Sequence, residues 1–317
     1  MEHIEISQNQ RMKTVLRYFK DNFVIIAFVA LLIYGAIASP AFLTVGNIKT
    51  VLLQNSIYAI CAIGMLLIVI TGGIDLSVGS FVVVSVCFSA GFIQEGYGPM
   101  AIVIVILVSV LFGTISGILV AHAKVAPFIA TLAMMTILRG IAYMYQVGQN
   151  RRIDGTFLPK FIQSDVVGIP VPVIILVVIV VIFSVVLKKT KYGRGIYAIG
   201  GNAETARLAG INVKKYLVIT YALGGLLFGI AGMILAGRLS MGTATVGEGY
   251  ELDAIASVVV GGATLSGGVG SVGKTIIGAF LMGVLMNIMN LMGIASYPQM
   301  ILKGIIIVAA VLANRDN

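Results

Sequence analysis

The stretch "SGGVGSVGKTIIGAFLMGVLMNIMNLMG", Ser266 to Gly293, admits two opposite folds. Its first part, Gly268-x-x-x-x-Gly273-Lys274-Thr275, spells a phosphate loop. In such a loop glycine amides surround the phosphates, the lysine reaches the terminal ones and the threonine holds Mg²⁺. A working phosphate loop lies between a strand and an amphipathic helix of a water-soluble α/β domain. The residues after Lys274 are instead apolar on every face, as in a helix enclosed by lipid or protein. The second part decides the reading: a membrane helix with a glycine-rich approach, its lysine marking the inner end of the span.

Composition extends that reading to the whole chain. Of 317 residues 59% are hydrophobic and only 10% charged, with a mean hydropathy of +1.07. That is too little charge to cover a water-soluble surface. Apolar runs cover residues 23–39, 51–71, 77–93, 100–121, 127–143, 171–187, 216–237, 253–265, 275–292 and 298–312. Most approach the roughly 20 residues needed to cross about 30 Å of hydrocarbon as a helix. The expected fold is an all-α polytopic membrane protein of about ten transmembrane helices, with a single transmembrane domain over 23–313. The eighth run is short, and only a glycine-rich break separates the second from the third.

The net charge of +9 resides in short segments between apolar runs, not in a stripe interleaved with aromatics, so nucleic acid is not an expected partner. Arg11, Lys13, Arg17 and Lys20 precede the first run, and Lys188, Lys189, Lys191, Arg194, Arg207, Lys214 and Lys215 crowd the segment between the sixth and seventh. The excess of Lys and Arg places 1–22, 188–215 and the tail 314–317 on the cytoplasmic side, while Glu95, Glu248 and Glu251 fall outside. The long outer segment 146–170 has mixed charge. Ala36-Ile37-Ala38 after a basic lead-in also resembles a signal-peptide cleavage site, but the long polar lead-in favours an uncleaved first helix. Cys61 and Cys87 lie in apolar runs as small hydrophobes, and His3 and His122 form no ligand cluster, so no metal is expected.

"TGGIDLSVGS", Thr71 to Ser80, follows the second run directly. Gly72 and Gly73 can break a helix, which puts Asp75 at the edge of the hydrocarbon with Ser77 and Ser80 close by. A charge at membrane depth costs about 2.5–3.5 kcal/mol on insertion scales, so Asp75 should cap the following helix, face protein or line a cavity. Gly261-Gly262-Ala263-Thr264-Leu265-Ser266-Gly267-Gly268 shares G-G-x-x-L-S-x-G with Gly72–Gly79. Paired broken segments in two halves of a membrane protein often flank a transport route. Asn55, Tyr58, Asn287 and Asn290 are polar residues inside apolar runs and candidates for lining it, or else for bonding helix to helix.

The basic segment holds "GGNAETARLAGINV", Gly200 to Val213. Asn202 suits an N-cap, Glu204 the first turn and Gly210 the left-handed position after a helix. Between them lies a two-turn helix, 203–209, too short to persist alone in water. Its small Ala203, Ala206 and Ala209 would fit closely into a partner's groove.

Three stretches in order, "TGGIDLSVGS", "IYAIGGNAETARLAGINV" and "GYELDAIASVVVGGATLSGGVGSVGKT", resemble the membrane permease subunits of bacterial monosaccharide ABC importers, over nearly the whole length. Within that family the likeness is greatest to the members that carry ribose. The resemblance implies a bacterial inner-membrane protein working as a homodimer, with a sugar-binding protein outside and a separate ATPase inside. The chain itself would then bind no cofactor; ATP and Mg²⁺ would belong to the ATPase. Gly201, Asn202, Glu204, Arg207 and Gly210 would form the element that couples to it, and Gly72, Gly73, Asp75, Ser77, Gly79, Gly261 and Gly262 the moving part. Galactose, xylose, arabinose and furanosyl signalling ligands are carried by related permeases. With 12 acidic residues dispersed along the chain, no phosphoryl-transfer constellation can be assembled around Gly268, Gly273, Lys274 and Thr275, and the phosphate-loop match reads as chance.

Two rival classes are weaker. An ion-coupled transporter would place ionisable groups at the bilayer midplane, whereas Arg139, Lys303, Asp75 and Asp253 read as lying toward span ends. An aspartyl protease of the membrane would pair two aspartates at close range, yet Ile74 precedes Asp75 where that chemistry's family has glycine.

Overall fold

The computed structural model describes residues 24–314; the expected cytoplasmic segment 1–22 with its four basic residues, and 315–317 of the tail, lie outside it. In chain order it runs α1 (Val24–Ala38), α2 (Val45–Ile70), α3 (Val78–Gln94), α4 (Met100–Ala121), α5 (Pro127–Gln146), β1 (Arg151–Arg152), α6 (Phe157–Ile162), β2 (Asp165–Val166) and β3 (Ile169–Pro170). It continues α7 (Val171–Lys189), α8 (Lys191–Gly201), α9 (Ala203–Leu208), α10 (Val213–Leu239), β4 (Met241–Gly242), α11 (Tyr250–Val260), α12 (Val272–Leu291) and α13 (Ser296–Asn314). Each expected apolar run coincides with a helix. Six of them, α2, α4, α5, α7, α10 and α12, are long and apolar enough to cross a membrane; α1, α3 and the apolar part of α13 are shorter. The expected eighth span is corrected. α11 has 11 residues and stops at Val260, not 265. At 1.5 Å per residue it is about 16 Å long, half a bilayer.

The core is built around α2. Every hydrophobic residue from Ala59 to Ile70 is at most 1% exposed, and α10, α12, α11 and α7 surround the helix. A helix apolar on all faces can be so placed only inside protein or lipid. α1 packs on α12 through Phe28, Leu31 and Leu32 against Val284 and Ile288, with Phe42 between them.

α10 makes its closest approach to α4. Ser109, Gly113 and Gly117 recur every fourth residue on α4 and face Tyr221, Gly225 and Gly229 on α10. Small residues at this spacing let two backbones meet without intervening side chains, which is how helices associate where lipid supplies no hydrophobic drive. A Cβ at Gly225 would stand 2.4 Å from the Ser109 carbonyl oxygen and 3.1 Å from the Gly113 Cα. Gly225→Val is therefore expected to lower stability by at least the roughly 1–3 kcal/mol of overpacking. Cys61 and Cys87 are free and buried, so a fluorogenic thiol dye should report the lower melting temperature as they become exposed.

The segment 146–170 contains structure of its own. β1 pairs antiparallel with β4, Arg151 opposite Gly242 and Arg152 opposite Met241. β2 and β3 form a hairpin whose turn residues, Val167 and Gly168, both have positive φ, as a two-residue hairpin loop requires. Lys49 at the start of α2 reaches Asp165 of this hairpin in an ion pair.

Candidate functional site

The segment expected to couple to a partner is held by matched caps. Asn202 is extended, and its Oδ1 accepts from the Thr205 amide at 2.8 Å, starting α9. At the other end Gly210 has φ +84; its amide donates to the Arg207 carbonyl and that of Ile211 to the Ala206 carbonyl, each at 3.0 Å. This is a Schellman closure, and it ends the helix at Leu208, one residue before the expected Ala209. Glu204 and Arg207 form an exposed ion pair along α9, and the Arg207 hydrogen bond holds the Glu204 carboxyl below the usual carboxylate range. Leu208 is 74% exposed. Of the three small residues expected to fit a partner's groove, Ala203 and Ala209 are exposed, while Ala206 is buried on its own chain.

The helix before α9 ends among bare backbones. A Cβ at Gly200 would lie 1.8 Å from the Ile70 carbonyl oxygen at the end of α2 and 2.3 Å from the Gly268 amide nitrogen. The Gly268 amide itself donates to that Ile70 carbonyl at 2.9 Å. A Cβ at Gly267 would stand 2.8 Å from the Gly72 nitrogen and 3.0 Å from the Gly200 Cα. Tyr197, one turn earlier on α8, donates its hydroxyl to the Gly270 carbonyl at 2.7 Å. The end of α8, the break after α2 and the break after α11 thus meet at one point, with glycine at each approach.

The two breaks share one geometry. After α2, Gly72 has φ +80, its amide donating to Val69 and that of Gly73 to Ile68. After α11, Gly262 has φ +84, its amide donating to Val259 and that of Ala263 to Val258. Gly72 therefore matches Gly262, and Thr71 matches Gly261. This shifts by one residue the alignment that the shared letters G-G-x-x-L-S suggest. Gly261 packs against the α12 backbone instead, where a Cβ would fall 2.8 Å from the Thr275 Cα.

Asp75 is 1% exposed, and its Oδ1 accepts from the amide of Ser77, at 2.7 Å, and from the Ser77 hydroxyl. It closes a turn before α3 by bonding the N-cap residue, not the first amides inside the helix. Gly79 faces elsewhere: a Cβ there would lie 2.1 Å from the Gly247 carbonyl oxygen. The phosphate-loop letters are used in packing, since the Gly268 amide is taken by Ile70 and Thr275 is wholly buried.

The four polar candidates within apolar runs come together. Asn55, Tyr58, Asn287 and Asn290 all line a cavity of about 150 Å³ between α2, α11, α12 and α13. Asn287 and Asn47 exchange amide hydrogen bonds at 2.8 and 3.0 Å. The Asn290 Oδ1 accepts from Gln299 at 2.7 Å. Tyr58 lies against Tyr250, ring centroids 4.7 Å apart. Asn55 sits where Gly283 leaves room, for a Cβ at 283 would overlap its side-chain oxygen at 1.6 Å.

The same cavity holds an ion pair that the sequence reading missed. Lys303 Nζ lies 2.7 Å from Asp253 Oδ1, their side chains 26% and 12% exposed. Lys303 sits two turns inside α13, in its first half. The available signal was that two apolar runs each carry one charge, of opposite sign; such groups pair with one another because either alone is costly in the membrane.

Six helices long and apolar enough to cross a membrane describe a multi-pass protein of the inner membrane, and its relatives make it a permease. The chain belongs to the family described as branched-chain amino acid transport system / permease component, which matches residues 47–311. It is 44% identical over 290 residues to the ribose import permease protein of Bacillus subtilis (strain 168), with 90% of each chain covered. It is 45% identical over 297 residues to that of Haemophilus influenzae, covering 91% of this chain and 92% of the other. For that of Escherichia coli (strain K12) the identity is 41% over 298 residues, 92% and 93% covered. No solved structure matches it.

Proposed function

We propose that this chain is the permease subunit of an ATP-driven importer of ribose. The observation that carries the reading is the contact of α8 with both glycine breaks, which ties an exposed, capped helix directly to the membrane core. Identity of 41–45% to ribose import permeases over nine-tenths of the chain supplies the solute. α8–α9 face the cytoplasm, consistent with the crowding of Lys188, Lys189, Lys191, Arg194, Lys214 and Lys215 around them. The N- and C-termini lie on the same side by the excess of Lys and Arg before the first apolar run and an even number of spans. The ten apolar helices act as one transmembrane domain, α11 reaching only part-way.

In this account two copies of the chain flank the path, a sugar-binding protein delivers ribose from outside, and a separate ATPase holds ATP and Mg²⁺ and docks on α9. Gly201, Asn202, Glu204, Arg207 and Gly210 form that docking element. The gating part is the pair of breaks at Gly72-Gly73 and Gly261-Gly262, with Asp75, Ser77 and Gly79 fixing the start of α3. Nucleotide and loaded binding protein favour different conformations of the permease, and that difference in affinity is the coupling free energy. The Asp253–Lys303 pair among the apolar helices is an observation favouring ion-coupled transport; its direct pairing and the identity of the relatives favour ATP.

Glu204→Lys breaks the α9 ion pair and reverses its charge, and Gly210→Val puts a branched side chain at φ +84, a strain of about 1–2 kcal/mol. Both variants are expected to insert in the membrane yet lose co-purification with the ATPase and ribose-stimulated ATP hydrolysis. Hydrolysis at the unsubstituted rate would contradict docking through α9.

A further inference from the structure

We infer that the cavity between α2, α11, α12 and α13 is a sugar-binding site within each single chain, distinct from any path formed between two copies. The inference rests on the reading as a sugar importer and adds where the solute is held. Among the described residues, one buried side-chain atom on the cavity's lining has no hydrogen-bond partner. The Nδ2 of Asn55 is buried and finds no hydrogen-bond partner among the described residues, although Asn55 as a whole is only 2% exposed. A buried donor left unpaired is costly, and a turn of the Asn55 amide toward the cavity would let an arriving hydroxyl remove that cost. Asn287 and Asn290 are already bonded to Asn47 and Gln299, so they shape the wall, while Asn55 remains available.

The other groups narrow the ligand's chemistry. The Asp253 carboxylate can only accept hydrogen bonds and the Lys303 ammonium can only donate them, whereas hydroxyls do both. Side by side at 2.7 Å the two charges cancel, so the site favours a neutral ligand over a phosphorylated sugar or a carboxylic acid. Tyr58, against Tyr250, adds an aromatic wall to which the C–H face of a sugar ring can pack. A volume of about 150 Å³ is far more than one water needs and below the range of drug-sized pockets. A compact, neutral, polyhydroxylated molecule, a monosaccharide, meets all of these requirements.

The test uses the assembled importer in proteoliposomes, with its ATPase and binding protein, and D-ribose as the probe. Asn55→Leu, close in shape and without the amide, is expected to lower ribose uptake about tenfold while ribose-loaded binding protein still stimulates ATP hydrolysis. Met286→Cys puts a reactive thiol on the cavity wall, and D-ribose is expected to slow its modification by a small methanethiosulfonate at least about threefold, with 2-deoxyribose weaker. This second readout does not depend on how well the Asn55 variant folds. Wild-type uptake by Asn55→Leu together with no protection of the 286 thiol would overturn the site while leaving the importer reading intact. An unsubstituted importer that moves no ribose would overturn the importer reading itself, and thiol protection by ribose would then still support the site.

Discussion

Gly200→Val is expected to abolish coupling: ribose uptake by the reconstituted importer falls by more than about tenfold, equivalent to 1.4 kcal/mol, while the ATPase remains bound. The added side chain starts 1.8 Å from the Ile70 carbonyl oxygen and 2.3 Å from the Gly268 nitrogen. Both are backbone atoms, so no rotamer relieves the contact. Either α8 moves off the end of α2, or the Gly268–Ile70 hydrogen bond opens. The overpacking alone amounts to about 1–3 kcal/mol. Since α9 and its caps are untouched, docking should survive, and ATP hydrolysis should continue without responding to sugar. Gly273→Ala is the comparison. A Cβ there meets nothing within 4 Å, and the residue lies in the first turn of α12. It is expected to transport as the unsubstituted protein does, whereas a nucleotide-binding loop would be crippled by the same change. Uptake and ATP hydrolysis measured side by side on the two variants check both statements.

The second large effect is expected at the buried ion pair. Lys303→Met leaves the Asp253 carboxylate among apolar helices with its counter-ion removed. Breaking a buried pair from one side is worth about 3–5 kcal/mol, and with Lys303 a quarter exposed the lower figure applies. A lone acid at membrane depth costs about 2.5–3.5 kcal/mol on insertion scales, which agrees. The single variant should melt well below the unsubstituted protein in the thiol-dye assay. Asp253→Asn/Lys303→Met removes both charges and should recover most of that stability, a non-additivity that marks direct coupling. Ribose uptake should stay low in the double variant, because the hydrogen-bonding pair in the cavity is gone. Additive losses in stability would show that the pair is not coupled.

Much of this architecture was legible in the letters, for identifiable reasons. A span declares itself by an apolar run, and a helix end by the residue types its dihedrals require. Asn202 at an N-cap and Gly210 at a left-handed position follow from local chemistry alone. What was not legible depends on distance along the chain. Asp253 and Lys303 are 50 positions apart, and only the packing of α11 on α13 brings them together. The meeting of Gly200 with Ile70 and Gly268 joins three separate segments, so each glycine looked like a local turn residue. Ala206 looked available because a two-turn helix gives no hint of which side faces its own chain. The one-residue error in matching the two breaks has a different origin. Letters align by identity, but a helix closure aligns by the residue at positive φ, and Gly72 pairs with Gly262 there. Similarly, α11 stops early because Gly261 and Gly262 close it at Val260, while the apolar Ala263 and Leu265 extended the run on paper.

The central claim is that this chain is a gate moved by another molecule through α8 and α9. The most direct measurement reconstitutes it in liposomes and follows labelled ribose, first alone under imposed proton and sodium gradients, then with the ATPase, binding protein and ATP. The account predicts accumulation only in the complete, ATP-supplied mixture, and none from gradients alone. Uphill uptake by the chain alone, or ATP hydrolysis by it without the partner, would contradict the account.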